Sequence, residues 1–445
     1  MLQSLVSKRG LLAQALGAAF LLHSSGASAL GLMQAYEAAL KNDPVYRAAF
    51  YSNEAGKENR ILGRSNLLPS LSGSYSGSKN RSDIKNGALP ETHPEYNSKS
   101  AVVQLRQTLV NFDALARYKQ GGLQADYSAS IYMSEQQQVA LRVVGAYVEV
   151  LFKQDQLAVA KFERDAYVER MKVNDRMFSK GEGTRTDMLE TRARLDVAEA
   201  ALLEAQDNLA ATRATLAGVI GGDPGELDRL TPQFSQRPLG TQSFDAWKRL
   251  AMERSHEIRT RQLAVEIGRQ EVNKAKAGHY PRLDFVASYS KNTSESINTI
   301  NQDSTTRSVG LQLNVPLYAG GSVNASTRQA VANREKAAAE LQAEIDKSMV
   351  ELRKDYDQLI SSVSRIEALG KAVDSGKLLV TATEQSIKGG VRINLDLLDA
   401  QRQLSATERD LAQARYSYIL AYLKLRAAAG TLEAQDLREM AAYFR

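Results

Sequence analysis

The chain of 445 residues contains no cysteine, so no disulfide braces it and no cysteine carries a lipid. Its stability must come from packing and assembly. Proline is scarce and bunched, at 44, 69, 90, 94, 224, 232, 238, 281 and 316, with none from Glu95 to Asp223 and none after Pro316. An interior proline breaks a helix, so those two gaps have room for very long helices. Beyond the N-terminal segment, no run is apolar enough to be a transmembrane helix. A membrane-embedded form would have to be β-structure. Charge of one sign is also lacking: basic and acidic residues alternate, and a formal charge of +6 is too even to predict a nucleic-acid partner. No nucleophile stands beside a base, and no phosphate loop or metal-ligand cluster occurs. Neither catalytic residues nor a metal or cofactor are expected. His93, His256 and His279 read as isolated surface residues, and Trp247 as a packing residue between subdomains.

The first 29 residues form a unit of their own. Lys8 and Arg9 precede an apolar run from Leu11 to Leu22, followed by Ala27-Ser28-Ala29. This is the pattern of a secretory signal peptide cleaved after Ala29, and the run is far short of the ~20 residues of a membrane anchor. Removing Lys8 and Arg9 lowers the formal charge from +6 to +4.

What remains is written twice. Lys388-Gly-Gly-Val-Arg-Ile-Asn-Leu-Asp-Leu-Leu-Asp399 reads as the tip of a helical hairpin, and Lys180-Gly-Glu-Gly-Thr-Arg-Thr-Asp-Met-Leu-Glu190 repeats it. Placing Gly181 on Gly390 aligns Asp187 with Asp396 and Glu190 with Asp399, an offset of 209. Leu195, Leu202, Leu209 and Leu216 follow one tip, and Leu404, Leu411, Tyr418 and Leu425 the other. Residues 32–65 match 244–277 at an offset of 212, with Gly56 on Gly268 and Pro69 on Pro281; the same offset puts Gly430 on Gly218. The division predicted is a first repeat over 30–220, a linker over 221–240, a second repeat over 241–432 and a helical tail over 433–445.

Each repeat has the same parts. Period-two alternation predicts hairpins over about 69–80 with 98–112, and about 281–292 with 306–317. Long helices are predicted over about 114–178 and 186–218, then 322–386 and 394–428. Leu341, Ile345, Met349, Leu352, Tyr356, Leu359, Val363 and Ile366 form a heptad seam in the third of these. Strands apolar on one face, in a chain with no third layer to cover a sheet, fit a transmembrane β-barrel better than hairpins on a soluble core. Four strands cannot close a barrel, and an open edge cannot lie in lipid. Two copies would give eight strands and three would give twelve, and an open lumen starts at about twelve. Tyr75, Tyr96, Phe112, Tyr289 and Tyr318 are candidates for an aromatic girdle.

This arrangement resembles the TolC family of outer-membrane export channels. The residues that carry the resemblance are Gly183-Thr-Arg-Thr-Asp-Met-Leu-Glu190, Val391-Arg-Ile-Asn-Leu-Asp-Leu-Leu-Asp-Ala400 and Ala429-Gly-Thr-Leu-Glu-Ala-Gln-Asp-Leu437. The resemblance implies an α+β membrane protein that works as a homotrimer. A twelve-stranded barrel lies in outer-membrane lipid, and a long α-helical barrel reaches into the periplasm. It further implies a ring of carboxylates at the periplasmic entrance, Asp396 and Asp399, and a latch between Arg392 and Asp187. Ile387 stands where the family latch has a tyrosine, so that hydrogen bond is absent. The tips at Gly181, Gly183, Gly389 and Gly390 would dock a periplasmic membrane-fusion adaptor, which links the channel to an inner-membrane ABC transporter. The C-terminal motif is most similar to the type I branch that exports unfolded proteases and lipases. Small-molecule efflux, and a periplasmic coiled-coil scaffold with no pore, are the competing readings.

Overall fold

The computed structural model describes residues 29–182, 184–231, 234, 243–295, 301–389 and 393–445. In chain order the elements are α1 (Leu32–Asn42), α2 (Pro44–Ser65), β1 (Ser70–Arg81), β2 (Glu95–Val110), α3 (Phe112–Ser179) and α4 (Arg185–Ile220). Then follow α5 (Phe244–Arg254), α6 (His256–Lys276), β3 (Arg282–Ser294), β4 (Gln302–Asn314), α7 (Ser322–Lys388), α8 (Asn394–Ala428) and α9 (Ala434–Ala441). Residues 1–28 of the predicted signal peptide and part of the predicted linker lie outside the described residues.

Local chemistry sets the boundaries. Asp43 caps α2 by accepting from the amides of Val45 (2.7 Å) and Tyr46 (3.3 Å), with Pro44 at the first helical position. Its carboxylate also takes a two-pronged bond from Arg142 of α3 (2.6 and 3.0 Å), whose third nitrogen reaches Glu135. Asn111 caps α3, which at 68 residues is about 100 Å long. α3 packs on α2, α4, α6 and α8, and α7 on α6 and α8. In the heptad seam Leu352, Leu359 and Ile366 are buried, Val373 continues their seven-residue step, and Met349, Tyr356 and Val363 pack against them.

The core sits where the long helices pass the short ones. Val143, Tyr147 and Leu151 of α3 meet Tyr418, Ile419 and Leu423 of α8, wrapped by α1, by Trp247 and Ala251 of α5 and by Leu437 and Met440 of α9. The described part of the linker is a strap across this core. Leu227 bridges to Leu30 and Leu230 to Phe444, and the Tyr147 hydroxyl reaches the carbonyls of Leu30 (2.8 Å) and Asp228 (3.0 Å).

The repeat is corrected at one point. The counterpart of Gly430 is Gly221, on the tip offset of 209, and Gly218 is a helical residue with open space around it. Both Gly221 (φ +78°) and Gly430 (φ +68°) end a long helix in the left-handed region. A Cβ on Gly221 would overlap the side chain of Asn42, and one on Gly430 would lie 2.1 Å from the carbonyl oxygen of Arg254. Asn42 and Arg254 are themselves counterparts, each the last residue of a short helix.

The four strands form one antiparallel sheet in the order β1-β2-β3-β4. Its ladder continues past the apolar alternation, to Glu95 on β2 and Gln302 on β4, because paired backbones extend regardless of side-chain polarity. One face carries Leu71, Tyr75, Val103, Leu105, Phe285, Tyr289, Val309, Leu311 and Leu313. Much of it is bare: Leu71 and Tyr75 are each 72% exposed and Val309 74%. The other face is hydroxyl and amide, tied across strands by Ser78–Ser98 (2.7 Å), Ser100–Asn292 (2.6 Å) and Ser288–Ser308 (2.6 Å). On this polar face Asp284 is buried and joins the two repeats, accepting from Arg106 of β2 (2.8 and 3.1 Å) with Arg282 at 3.4 Å.

Replacing Asp284 by alanine leaves two guanidinium groups facing each other without their carboxylate. Removing one partner of a fully buried pair costs ~3–5 kcal/mol; Arg106 is partly solvated, so ~1–3 kcal/mol is expected here. Thermal unfolding followed by circular dichroism in detergent checks this. An unchanged midpoint would show that water already serves the arginines.

Candidate functional site: the hairpin tips

The two tips are built differently although their sequences align. At the first, α3 ends at Ser179, and the chain turns through Gly181 (φ +75°), with the Glu182 amide bonded back to the Met177 carbonyl (2.9 Å). Thr184 then caps α4. Its hydroxyl accepts from the Asp187 amide (3.1 Å), and the Asp187 carboxylate accepts from the Thr184 amide (3.3 Å) and hydroxyl (2.6 Å). This reciprocal box holds Asp187 to its own helix end. At the second tip α7 runs to Lys388, and the Gly389 amide bonds to the Gln385 carbonyl (3.0 Å). The cap of α8 is Ile393, which has no side-chain oxygen, so Asp396 has no hydroxyl to bind.

Asp396 therefore sits half-buried in the first turn of α8 and Asp399 is exposed one turn on. Among the described residues no cation pairs with either. Their negative charge is favoured there by the positive end of the α8 dipole. Gly183, Gly390 and Arg392 lie outside the described residues, so the geometry of the predicted latch is set only on its Asp187 side.

The hairpins also differ inside. In the first, Asn174 of α3 donates to the Thr191 hydroxyl (2.7 Å) and to the Asp187 carbonyl (3.3 Å). On the 209 offset their counterparts are Thr383 and Ala400, and the buried Thr383 hydroxyl has no partner among the described residues. At this level the first hairpin is braced by a polar bond that the second lacks among the described residues; the second has an ion pair farther from its tip, Lys377 with Glu408 at 3.8 Å. Sequence reading missed this pair; the Asn174/Thr383 and Thr191/Ala400 mismatches in an otherwise matched repeat were the available signal.

A cavity of about 270 Å³ lies at the core level between α3, α6, α7 and α8. It is lined by His256, Glu257, Glu351, Lys354, Asp355 and Lys424. Burial, then the negative charges of Glu344 and Glu351, raise the Glu257 carboxyl above the usual carboxylate range, and burial raises Asp355. A carboxyl raised on folding costs stability above its folded pKa and nothing below its unfolded one. Glu257→Gln is thus expected to stabilise by up to ~1 kcal/mol at pH 8, and the gain should vanish near pH 4. Melting temperatures of both proteins across that range test it; a gain independent of pH would point to packing. His93, which reads as isolated in the sequence, is paired with Asp83 at 2.5 Å, because the Ile84–Thr92 bridge closes their loop.

An amphipathic four-stranded sheet continued by paired long helices, with two carboxylates at one tip, defines a class: a channel that crosses the outer membrane by β-structure and extends into the periplasm as helix. The chain belongs to the outer membrane efflux protein family, whose model matches residues 35–222 and 247–431. Among its relatives is the "Alkaline protease secretion protein AprF" of Pseudomonas aeruginosa, 40% identical over 99% of this chain and 92% of that protein. Another is the "Proteases secretion protein PrtF" of Dickeya chrysanthemi, 35% identical over 95% of this chain and 93% of that protein. The solved CmeC outer membrane channel of Campylobacter jejuni matches with a TM-score of 0.77 at 17% identity, over 93% of this chain and 90% of that one. The fold is thus TolC-like. The protein is an outer-membrane channel and no enzyme, and the scaffold without a pore is set aside.

Proposed function

We propose that three copies of the chain form a conduit of a type I secretion system, passing an unfolded protein of the protease or lipase kind from an inner-membrane ABC transporter to the exterior. The observation that carries the cargo class is the pair of relatives named for protease secretion, each matched along nearly its whole length. They favour protein export over small-molecule efflux.

Ring assembly is supported by the repeat. Within the chain α6 packs on α3 and so joins the halves. Its counterpart α2 packs on α3 through Gly56 and Gly63, and its other face is open. There Tyr51 is 63% exposed, whereas its counterpart Leu263 is 3% exposed. The α7 of a next copy, set against this face, repeats the α3–α6 contact and brings the free edge of β4 to that of β1. Such a head-to-tail contact closes into a ring, and three copies supply twelve strands. Asp396 and Asp399 then ring the periplasmic entrance. A latch between Arg392 and Asp187 adds only ~0.2–1 kcal/mol, weak enough to be released, and the glycine tips meet the adaptor.

The test is export. A strain with the transporter and adaptor of a protease exporter, but without its outer-membrane component, is given this chain and assayed for extracellular protease. Export to at least a tenth of the native level is expected. Drug resistance restored in an efflux-deficient strain, with no protease outside, would replace the cargo reading.

A further inference from the structure

The bare face of the sheet changes character at the same relative place on every strand. Followed away from the helices, its residues are Leu71, Gly73, Tyr75, Gly77 and then Lys79 on β1, and Leu105, Val103, Ala101 and then Lys99 on β2. On β3 they are Phe285, Ala287, Tyr289 and then Lys291, and on β4 Leu313, Leu311, Val309 and then Arg307. Each apolar run ends in a basic residue, and on β1 Arg81 follows Lys79 on the same face.

The register links these four residues. Lys79 lies opposite Asn97, two residues from Lys99; Lys99 lies opposite Thr293, two from Lys291; and Lys291 lies opposite Thr305, two from Arg307. Each is the diagonal neighbour of the next, about 7–8 Å apart. The upper limit of the apolar band falls along the same diagonal, from Gly77 to Ala101, Tyr289 and Val309. The basic row therefore follows the edge of the apolar band. All four side chains are exposed. Lys79 is paired with Glu95 at 3.1 Å and Arg307 leans over the Tyr289 ring, but among the described residues Lys99, Lys291 and Arg307 make no ion pair. Asp303 is the acid on the same face at that level, opposite Thr293.

The geometry points to a binding surface for phosphate-bearing lipid headgroups of the outer leaflet, with Lys79, Lys99, Lys291 and Arg307 as its donors. The inference rests on the reading that this sheet is membrane-embedded with its apolar face to lipid. The helices leave the opposite end of the sheet toward the periplasm, so the basic row marks the outer boundary of the hydrocarbon. Ammonium and guanidinium groups at that level, with their stems against apolar surface, meet phosphates at the range of charge-assisted hydrogen bonds. In the ring of three copies the row is continuous, with a cation on every strand.

The test is retention of diphosphorylated lipid A by the full-length protein, drawn from nanodiscs that mix it with phosphatidylcholine and counted by native mass spectrometry. The sheet variant is Lys79→Gln, Lys99→Gln, Lys291→Gln and Arg307→Gln together; a control removes equal charge from the helices at Lys57, Lys336, Arg353 and Lys371. Helical circular dichroism of both must match the wild type. Retention is expected to fall more than tenfold in the sheet variant and to hold in the control. The wild type should ignore dephosphorylated lipid A, and excess inorganic phosphate should not displace the lipid. Equal retention by the sheet variant, or equal retention of the dephosphorylated lipid, overturns the surface. A wild type that enters no nanodisc of either composition overturns the embedded sheet as well, and so separates the two failures.

Discussion

Replacing Gly430 by alanine should remove most of the assembled channel from the outer membrane. A left-handed backbone costs a residue with a Cβ ~1–2 kcal/mol. At this position the added carbon also lies 2.1 Å from the Arg254 carbonyl oxygen, so the junction of α5 and α6 must move. Overpacking of that kind adds ~1–3 kcal/mol or more. The total, ~3–5 kcal/mol, is a large share of the ~5–15 kcal/mol that keeps a protein folded. Gly221→Ala should do the same damage on the other side, against Asn42. Gly218→Ala is the control: that glycine is helical with open space around it, so alanine there should stabilise by ~0.5–1 kcal/mol. Heat-resistant oligomer on a gel, with outer-membrane yield, reports all three. A Gly430→Ala protein with wild-type yield would mean that the α5–α6 junction gives way easily, and the corner would lose its structural role.

Neutralising the second tip should change the pore and spare the fold. In the proposed ring of three copies, six carboxylates would crowd a narrow entrance, favour cations and repel one another. The double change Asp396→Ala and Asp399→Ala should abolish cation selectivity in planar bilayers and raise single-channel conductance several-fold. The loss in stability should stay within ~1 kcal/mol, since among the described residues neither side chain makes a capping bond and only the helix-end charge effect is forfeited. Asp187→Ala gives the converse pattern. It breaks the Thr184 box at a cost of ~1 kcal/mol and leaves selectivity unchanged, because Asp396 and Asp399 stay in place; loss of the proposed latch to Arg392 would show as more frequent opening. Discrete channels of unaltered selectivity in the double variant would keep the pore and move its constriction elsewhere.

The sequence carried the repeat, the seam and the strand faces because each has a period. Leu352, Leu359 and Ile366 recur every seven residues, so burial along one stripe of α7 could be read directly. Alternation did the same for the sheet. Contacts between distant positions leave no such trace. Arg142 with Asp43, and Asp284 with Arg106, are bonds across 99 and 178 residues, and nothing in the spacing marks either. The tip carboxylates were legible as a motif, but their difference was legible only in part. Asp187 and Asp396 align, and the decisive residue is the one three places earlier, Thr184 against Ile393. The Gly430 counterpart was misplaced by three residues because the repeat keeps two offsets, 212 at the short helices and 209 beyond the tips.

Those two offsets also let the copies specialise. A ring of six identical hairpins would loosen everywhere if one were loosened. Here Asn174 and Thr191 brace one copy, and the other has Thr383 and Ala400 at the counterpart positions. Duplication within one chain thus allows the two hairpins to differ in a way that symmetry between identical chains forbids.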